Sequence, residues 1–247
     1  MSPPEISYTQ TDRISDSVFP IIVVNQSADG SLTLTSVRGT GFFIGKDYAL
    51  TARHVVCPVV EGLGILINDS GQWLFFPAVA IDQHPSEDVA LLKIAPPSRN
   101  RAWSSIFRPS GDWEGSASRY RLFGYPEDAM YDIVENGLVQ PRPDLVYTQG
   151  YVKRRITNVA LGNISGTGFY ELSDRAGSGY SGGPVLSREV AATWRVFGIY
   201  VGERVWEGSG FSVGYALRFD VLTSWESSLF GGKPIPAGRM QIGSVPL

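Results

Sequence analysis

Cysteine is almost missing from these 247 residues: Cys57 stands alone. No disulfide can form within the chain, so its fold must rest on packing and hydrogen bonds, and a reducing, cytoplasmic setting is expected. Cys57 follows apolar residues and precedes Pro58, and is expected to be a small buried filler rather than a reactive thiol. Histidine is nearly as scarce, with only His54 and His84. No His/Cys cluster has metal-ligand spacing, and no glycine-rich nucleotide loop stands between a strand and a helix. No metal or organic cofactor is therefore expected. No apolar run approaches the ~20 residues of a membrane-spanning helix. The start, Met1 to Asp12, has neither the basic region nor the apolar run of a secretory leader. Broad basic surface is absent too. The net charge is −3, and Arg99–Arg101 and Lys153–Arg155 are only short clusters. Neither a membrane nor nucleic acid is an expected partner.

What the chain does have is glycine, 28, and proline, 16. Many short strands joined by turns use both residues in this way; long helices do not. In the first half, apolar runs and alternation mark strands at Phe19–Asn25, Leu32–Val37, Gly39–Gly45, Tyr48–Val56, Gly64–Asn68, Trp73–Ile81 and Val89–Ile94. Ala95–Gly115, with Pro96, Pro97 and Pro109, has no sustained period and reads as a crossing between halves. The second half repeats the style at Arg119–Tyr125, Val146–Arg155, Gly168–Leu172, Pro184–Ser187, Trp194–Val201 and Phe211–Phe219. One helix is predicted, Val221–Phe230. Asp220 caps it, Val221, Leu222, Trp225 and Leu229 form its apolar stripe, and Gly231-Gly232 stops it. The pattern predicts an all-β chain: two packed antiparallel six-stranded barrels and a short C-terminal α-helix, with a β-sandwich as the alternative. The organisation is then an N-terminal barrel over 15–97, a linker over 98–117, a C-terminal barrel with the helix over 118–232, and an extended tail over 233–247.

Three segments carry chemistry, in fixed order: Thr51-Ala52-Arg53-His54-Val55, Glu87-Asp88-Val89-Ala90-Leu91-Leu92, and Gly177-Ser178-Gly179-Tyr180-Ser181-Gly182-Gly183-Pro184. They supply a base, a carboxylate and a hydroxyl. A serine hydroxyl is a poor nucleophile until a histidine takes its proton and a carboxylate holds that histidine in the right tautomer. Each residue also has a plainer reading. Ser181 could be a turn residue, His54 a core histidine with His84 as the base, and Asp88 a strand-start cap with Asp82 in its place.

The set resembles the trypsin/chymotrypsin-like serine peptidase family, and most of all its bacterial, disulfide-poor members such as the HtrA-type protease domain. Gly39-Thr40-Gly41-Phe42-Phe43-Ile44-Gly45 with Leu50–His54 resembles the strand pair before the catalytic histidine. Asp88–Lys93 resembles the aspartate strand, and Gly179–Pro184 the nucleophile turn. Phe123–Pro126, Gly198–Gly202 and Gly214–Leu217 resemble further strands of the second barrel. The resemblance implies a serine endopeptidase working through an acyl-enzyme on Ser181, with His54 as general base and acid, Asp88 orienting it, and the N–H groups of Gly179 and Ser181 as oxyanion hole. It also implies Arg175, Val201, Gly202, Glu203 and Gly214 around the substrate pocket, with protein or peptide as substrate. Arg175 would sit at the pocket base and favour an acidic side chain, or instead face solvent or pair with Asp174, Glu171 or Glu203. Tyr180 departs from the family pattern, which in pancreatic-type members has an aspartate that pairs with a newly cut N-terminus. Activation by N-terminal cleavage is therefore not expected, and the pocket would be ordered by packing, by an activating partner or by substrate. A catalytically silent module that binds peptides or partners is the alternative function.

Overall fold

In the computed structural model the fold is described for residues 14–45, 47–69, 72–96, 107–135, 138–159, 161–162, 164–188, 194–206, 208 and 210–235. The first barrel consists of β1 (Val18–Gln26), β2 (Leu32–Gly45), β3 (Tyr48–Thr51), β4 (Leu63–Asp69), β5 (Gln72–Gln83) and β6 (Ala90–Ile94). Their antiparallel order β1-β2-β3-β6-β5-β4 closes on itself. Closure removes free strand edges and sends alternate side chains inward. The apolar run of β1 is buried without a break from Val18 to Val24. One face fills the barrel. The second barrel also reaches this strand, where the Tyr125 hydroxyl donates to the Val18 carbonyl at 3.2 Å.

The second barrel uses β8 (Arg119–Gly124), β11 (Val146–Thr157), β12 (Gly168–Leu172), β13 (Pro184–Arg188), β14 (Trp194–Trp206) and β15 (Phe211–Arg218). The order β13-β8-β11-β12-β15-β14 is closed by pairing of β13 with β14. The fold is thus the predicted pair of six-stranded barrels and not a sandwich. A short strand, β7 (Phe107–Pro109), pairs in parallel with the start of β14. The end of the predicted linker is therefore built into the second sheet; residues 97–106 lie outside the described set. A hairpin of β9 (Met130–Glu135) and β10 (Leu138–Pro143), not expected from the sequence, follows β8 as a separate two-stranded sheet.

Three local expectations are corrected. The strand predicted over Tyr48–Val56 stops at Thr51, and Arg53–Val56 form one helical turn. Cys57 follows that turn and is exposed, not buried, because the chain has left the barrel wall there. The helix predicted over Val221–Phe230 does not form. The segment is a 3-10 turn at Phe219–Leu222, a two-residue strand β16 (Glu226–Ser227) paired with β17 (Lys233–Pro234), and a second 3-10 turn at Ser228–Phe230. Its polar side chains have stronger partners than a helix would give them. Asp220, the expected cap, is taken by Arg218. Ser227 Oγ and the Ser228 N–H and Oγ all donate to the Asp82 carboxylate, at 2.6, 2.7 and 3.1 Å. Serine and threonine bond nearby groups in non-helical geometry and so compete with the helix ladder. Trp225 is core as expected, 6% exposed. The tail beyond residue 235 lies outside the described set, and no described helix is long and apolar enough to cross a membrane.

Candidate active site

After β3 the chain turns through Ala52 into the helical turn that carries His54. Val55 and Val56 bury into the first barrel, and the imidazole is left half exposed, with 47% of its side chain accessible. Ala52 gives the turn no side-chain cap. Asp88 does this from just before β6: its Oδ1 accepts the His54 N–H at 3.0 Å, and its Oδ2 lies 2.7 Å from His54 Nδ1. One carboxylate therefore caps the turn and orients the ring it carries. The bond to Oδ2 assigns the ring proton to Nδ1 and leaves Nε2 as an acceptor. Asp88 is buried at 4% exposure. Its own N–H donates to the Ser165 carbonyl at 3.2 Å. The adjacent Glu87, buried at 3%, receives the N–H and hydroxyl of Thr167 at 2.9 and 2.8 Å.

The other candidate base and carboxylate have separate work. His84 Nδ1 accepts N–H bonds from Ser86 and Glu87, its ring packs edge-on against Trp225, and Asp82 holds the serines after β16.

Ser181 lies in a turn between β12 and β13, and Thr40 of β2 grips that turn with its N–H and its hydroxyl. Its N–H donates to the Ser181 carbonyl at 2.8 Å, and its hydroxyl donates to the Gly179 carbonyl at 2.7 Å. The same hydroxyl accepts from the Tyr125 N–H at 2.9 Å, while the Thr40 carbonyl accepts from the Thr51 hydroxyl at 2.7 Å. Thr40 is fully buried. The approach is close enough to exclude any side chain at Gly182, whose φ is +89° and where a Cβ would stand 2.1 Å from the Thr40 carbonyl. Sequence reading placed Thr40 in a strand motif only; its role comes from a contact 139 residues away that no local pattern encodes.

The turn is pinned on its other sides as well. The Ser178 carbonyl accepts the Glu127 N–H at 3.2 Å, Gly177 N–H donates to Glu203 Oε2 at 2.9 Å, and Ala176 N–H donates to the Tyr200 hydroxyl at 3.0 Å. Tyr200 in turn donates to Glu203 Oε2 at 3.2 Å. In a trans peptide the N–H points opposite to the C=O, so fixing Ser178 O on Glu127 directs the Gly179 N–H to the other side. Gly179 adopts φ +90° to allow this. Among the described residues, the N–H groups of Gly179 and Ser181 donate to no partner. Tyr180 sits in the second barrel's core at 4% exposure, and burial pushes its phenol up to about 12.

His54, Asp88 and Ser181 line one cleft of about 310 Å³, together with Ile164, Gly177, Ser178, Val201, Gly202 and Glu203. Of the five expected pocket residues, Val201, Gly202 and Glu203 line this cleft. Gly214 is not on the lining; it backs against the Asp174 carbonyl and the Tyr200 ring. Arg175 is not on it either. Its side chain is 55% exposed, with Nη1 3.8 Å from Glu203 Oε1. Of its candidate partners, Glu171 is instead engaged by Lys153 and Arg154 across the strands. Ile164 and the Glu87–Thr167 clamp were not anticipated, since the loop between β11 and β12 carries no sequence pattern. Among the described residues no group of His, Cys, Asp and Glu could hold a metal ion.

Comparison with known proteins agrees with this fold. The MamO protease domain from Magnetospirillum magneticum, in its apo form, superposes with a TM-score of 0.61 at 16% identity, over 87% of this chain and 97% of that one. The HtrA-type protease AlgW, solved with a decapeptide, superposes at 0.60 with 18% identity, over 87% of this chain but 65% of its own. The inactive mutant form of Rv3671c from M. tuberculosis H37Rv superposes at 0.52 with 18% identity, over 88% of each chain. No curated protein sequence matches. The family described as trypsin-like peptidase domain matches residues 39–199, from the residue before Thr40 to the strand behind the cleft, and the chain belongs to that family.

Proposed function

We propose that this chain is a serine endopeptidase that works through an acyl-enzyme on Ser181. The observation that carries the reading is the Nδ1-to-carboxylate bond of His54 and Asp88 in the same cleft as Ser181. In this reading His54 Nε2 takes the Ser181 proton as Oγ attacks the peptide carbonyl. The Gly179 and Ser181 N–H groups stabilise the resulting oxyanion. His54 then returns the proton to the leaving amine, and water repeats the sequence on the acyl group. Substrate adds as a strand along Val201–Gly202, where the pairing of β14 with β15 shifts register and Val201 has no partner opposite it. Glu203 in the cleft wall offers its carboxylate to a basic side chain before the scissile bond, in competition with the Arg175 guanidinium 3.8 Å away.

The internal bonds that hold residues 176–181 support a turn that is ordered without cleavage of the chain. They also weigh against the silent-module alternative, which calls for donors turned inward. A selective, regulatory role in a reducing, cytoplasmic compartment suits a chain with one thiol. An activating partner would then act on access to the cleft. The test is intact-mass spectrometry during turnover of an activated peptide ester. The reading expects an acyl adduct on Ser181, lost in Ser181→Ala. Ester hydrolysis that persists unchanged in Ser181→Ala would overturn it.

A further inference from the structure

A second recess, of about 430 Å³, opens on the far strands of the second barrel, where β11, β8, β13 and β14 run side by side. Its lining includes Arg119, Arg121 and Arg195, one carboxylate, Glu114, and the polar side chains of Ser118, Gln149 and Ser187. Register explains why they meet. Arg119 and Arg121 are two residues apart on β8 and share a face. Arg121 stands opposite Gln149 on one side and Leu186 on the other, and Ser187 stands opposite Arg195. Neighbouring strands lie ~4.8 Å apart, within reach of a long arginine side chain.

The charges here do not cancel. Arg195 is buried and ion-paired with the buried Glu114, and its Nε donates to the Ser187 hydroxyl at 3.0 Å. Arg119 and Arg121 have rings as companions instead. Arg119 donates to the Tyr151 hydroxyl at 3.2 Å, and the Arg121 guanidinium lies 5.2 Å from the centre of the Trp194 ring. Among the described residues neither has a carboxylate within ion-pair distance. A chain of net charge −3, with 24 acidic residues available, thus leaves two positive charges on the rim of one concave site. Ring contact restrains such a guanidinium, and its planar fork matches the oxygens of a phosphate.

We infer that this recess is an anion site, distinct from the catalytic cleft, that takes a phosphate monoester. The two uncompensated charges match a phosphate dianion better than a single carboxylate. The hydroxyls of Ser118 and Ser187 and the amide of Gln149 supply further donors, and the volume leaves room for the group that bears the phosphate.

Calorimetric titration of the whole chain at ~0.15 M salt tests this, with inorganic phosphate, O-phosphoserine, adenosine monophosphate and glutamate as separate probes. Binding of at least one phosphate probe is expected, weakened about tenfold by Arg121→Gln or Arg119→Gln, with glutamate binding much more weakly. The arms identify the source: phosphoserine above phosphate marks a phosphopeptide, and adenosine monophosphate above both marks a nucleotide. Thermal unfolding of each variant checks that it is folded. No binding of any phosphate probe at millimolar concentration overturns the inference. So does equal binding by a folded variant, or glutamate binding as tightly as phosphate.

Discussion

His54 is tied to Asp88 twice, through its backbone N–H and through its ring, so the carboxylate sets both where the imidazole stands and which nitrogen keeps the proton. Asp88→Asn removes the charge and allows the amide to donate to Nδ1, which favours the wrong tautomer. We expect kcat to fall about 10⁴-fold, as in the template for this triad. Thr40 holds the Ser181 turn in the same way, from the other barrel. Thr40→Val keeps the shape and removes the hydroxyl that joins Gly179 and Tyr125. The loss should appear in kcat more than KM, up to the 100- to 1000-fold value of an oxyanion donor. Thr40→Ser should restore most of it. A uniform loss of folded protein without a kcat effect would make Thr40 merely structural. That His54, Asp88 and Ser181 would share one cleft was readable in the sequence, because each sits in a short motif with its own backbone setting. Thr40 and Glu127 were not, because their partners are distant in the chain and pair through backbone atoms that any residue carries.

At the scale of elements, strands were legible and the segment after β15 was not. Apolar alternation reports which face of a strand is buried. The helix predicted at Val221–Phe230 rested on an apolar stripe alone, and the stripe is equally satisfied by two 3-10 turns whose serines reach Asp82. Removing that carboxylate tests the explanation. Asp82→Asn should cost about 1–2 kcal/mol in chemical denaturation and loosen residues 226–230 in hydrogen exchange. A pH dependence belongs to the neighbouring turn. Burial lowers the proton affinity of His84 below its ordinary 6.5; Glu87 and Asp82 oppose this shift and Arg53 adds to it. Between the ordinary value and the lower folded one, the unfolded chain takes up a proton that the folded chain does not. The contribution of His84 to stability is therefore complete above the ordinary value and is lost as pH falls through that window. Protonation at Nδ1 would also cost the bonds from Ser86 and Glu87. The melting temperature should drop more between pH ~7.5 and ~5.5 in the native chain than in His84→Gln. Equal drops would remove His84 from the account.

For the molecule as a whole, the cleft exists because two closed barrels meet with β2 of one against the Ser181 turn of the other. The first supplies His54 and Asp88, the second Ser181, Val201, Gly202 and Glu203. This division was visible in the sequence, since two runs of strands flank a proline-rich break. The contact that joins the halves was not, because the bonds of Tyr125 to Val18 and of Thr40 to Gly179 are tertiary ones that no local pattern encodes. The central claim is that this junction activates one hydroxyl among many. Labelling with a fluorophosphonate probe reads that activation directly, because the reagent phosphorylates only a serine whose proton has a base to go to. The account predicts a single adduct at Ser181 on the full chain, without prior trimming, and abolished in His54→Ala. A folded chain that takes up no label at any pH, or labels equally without His54, would contradict it.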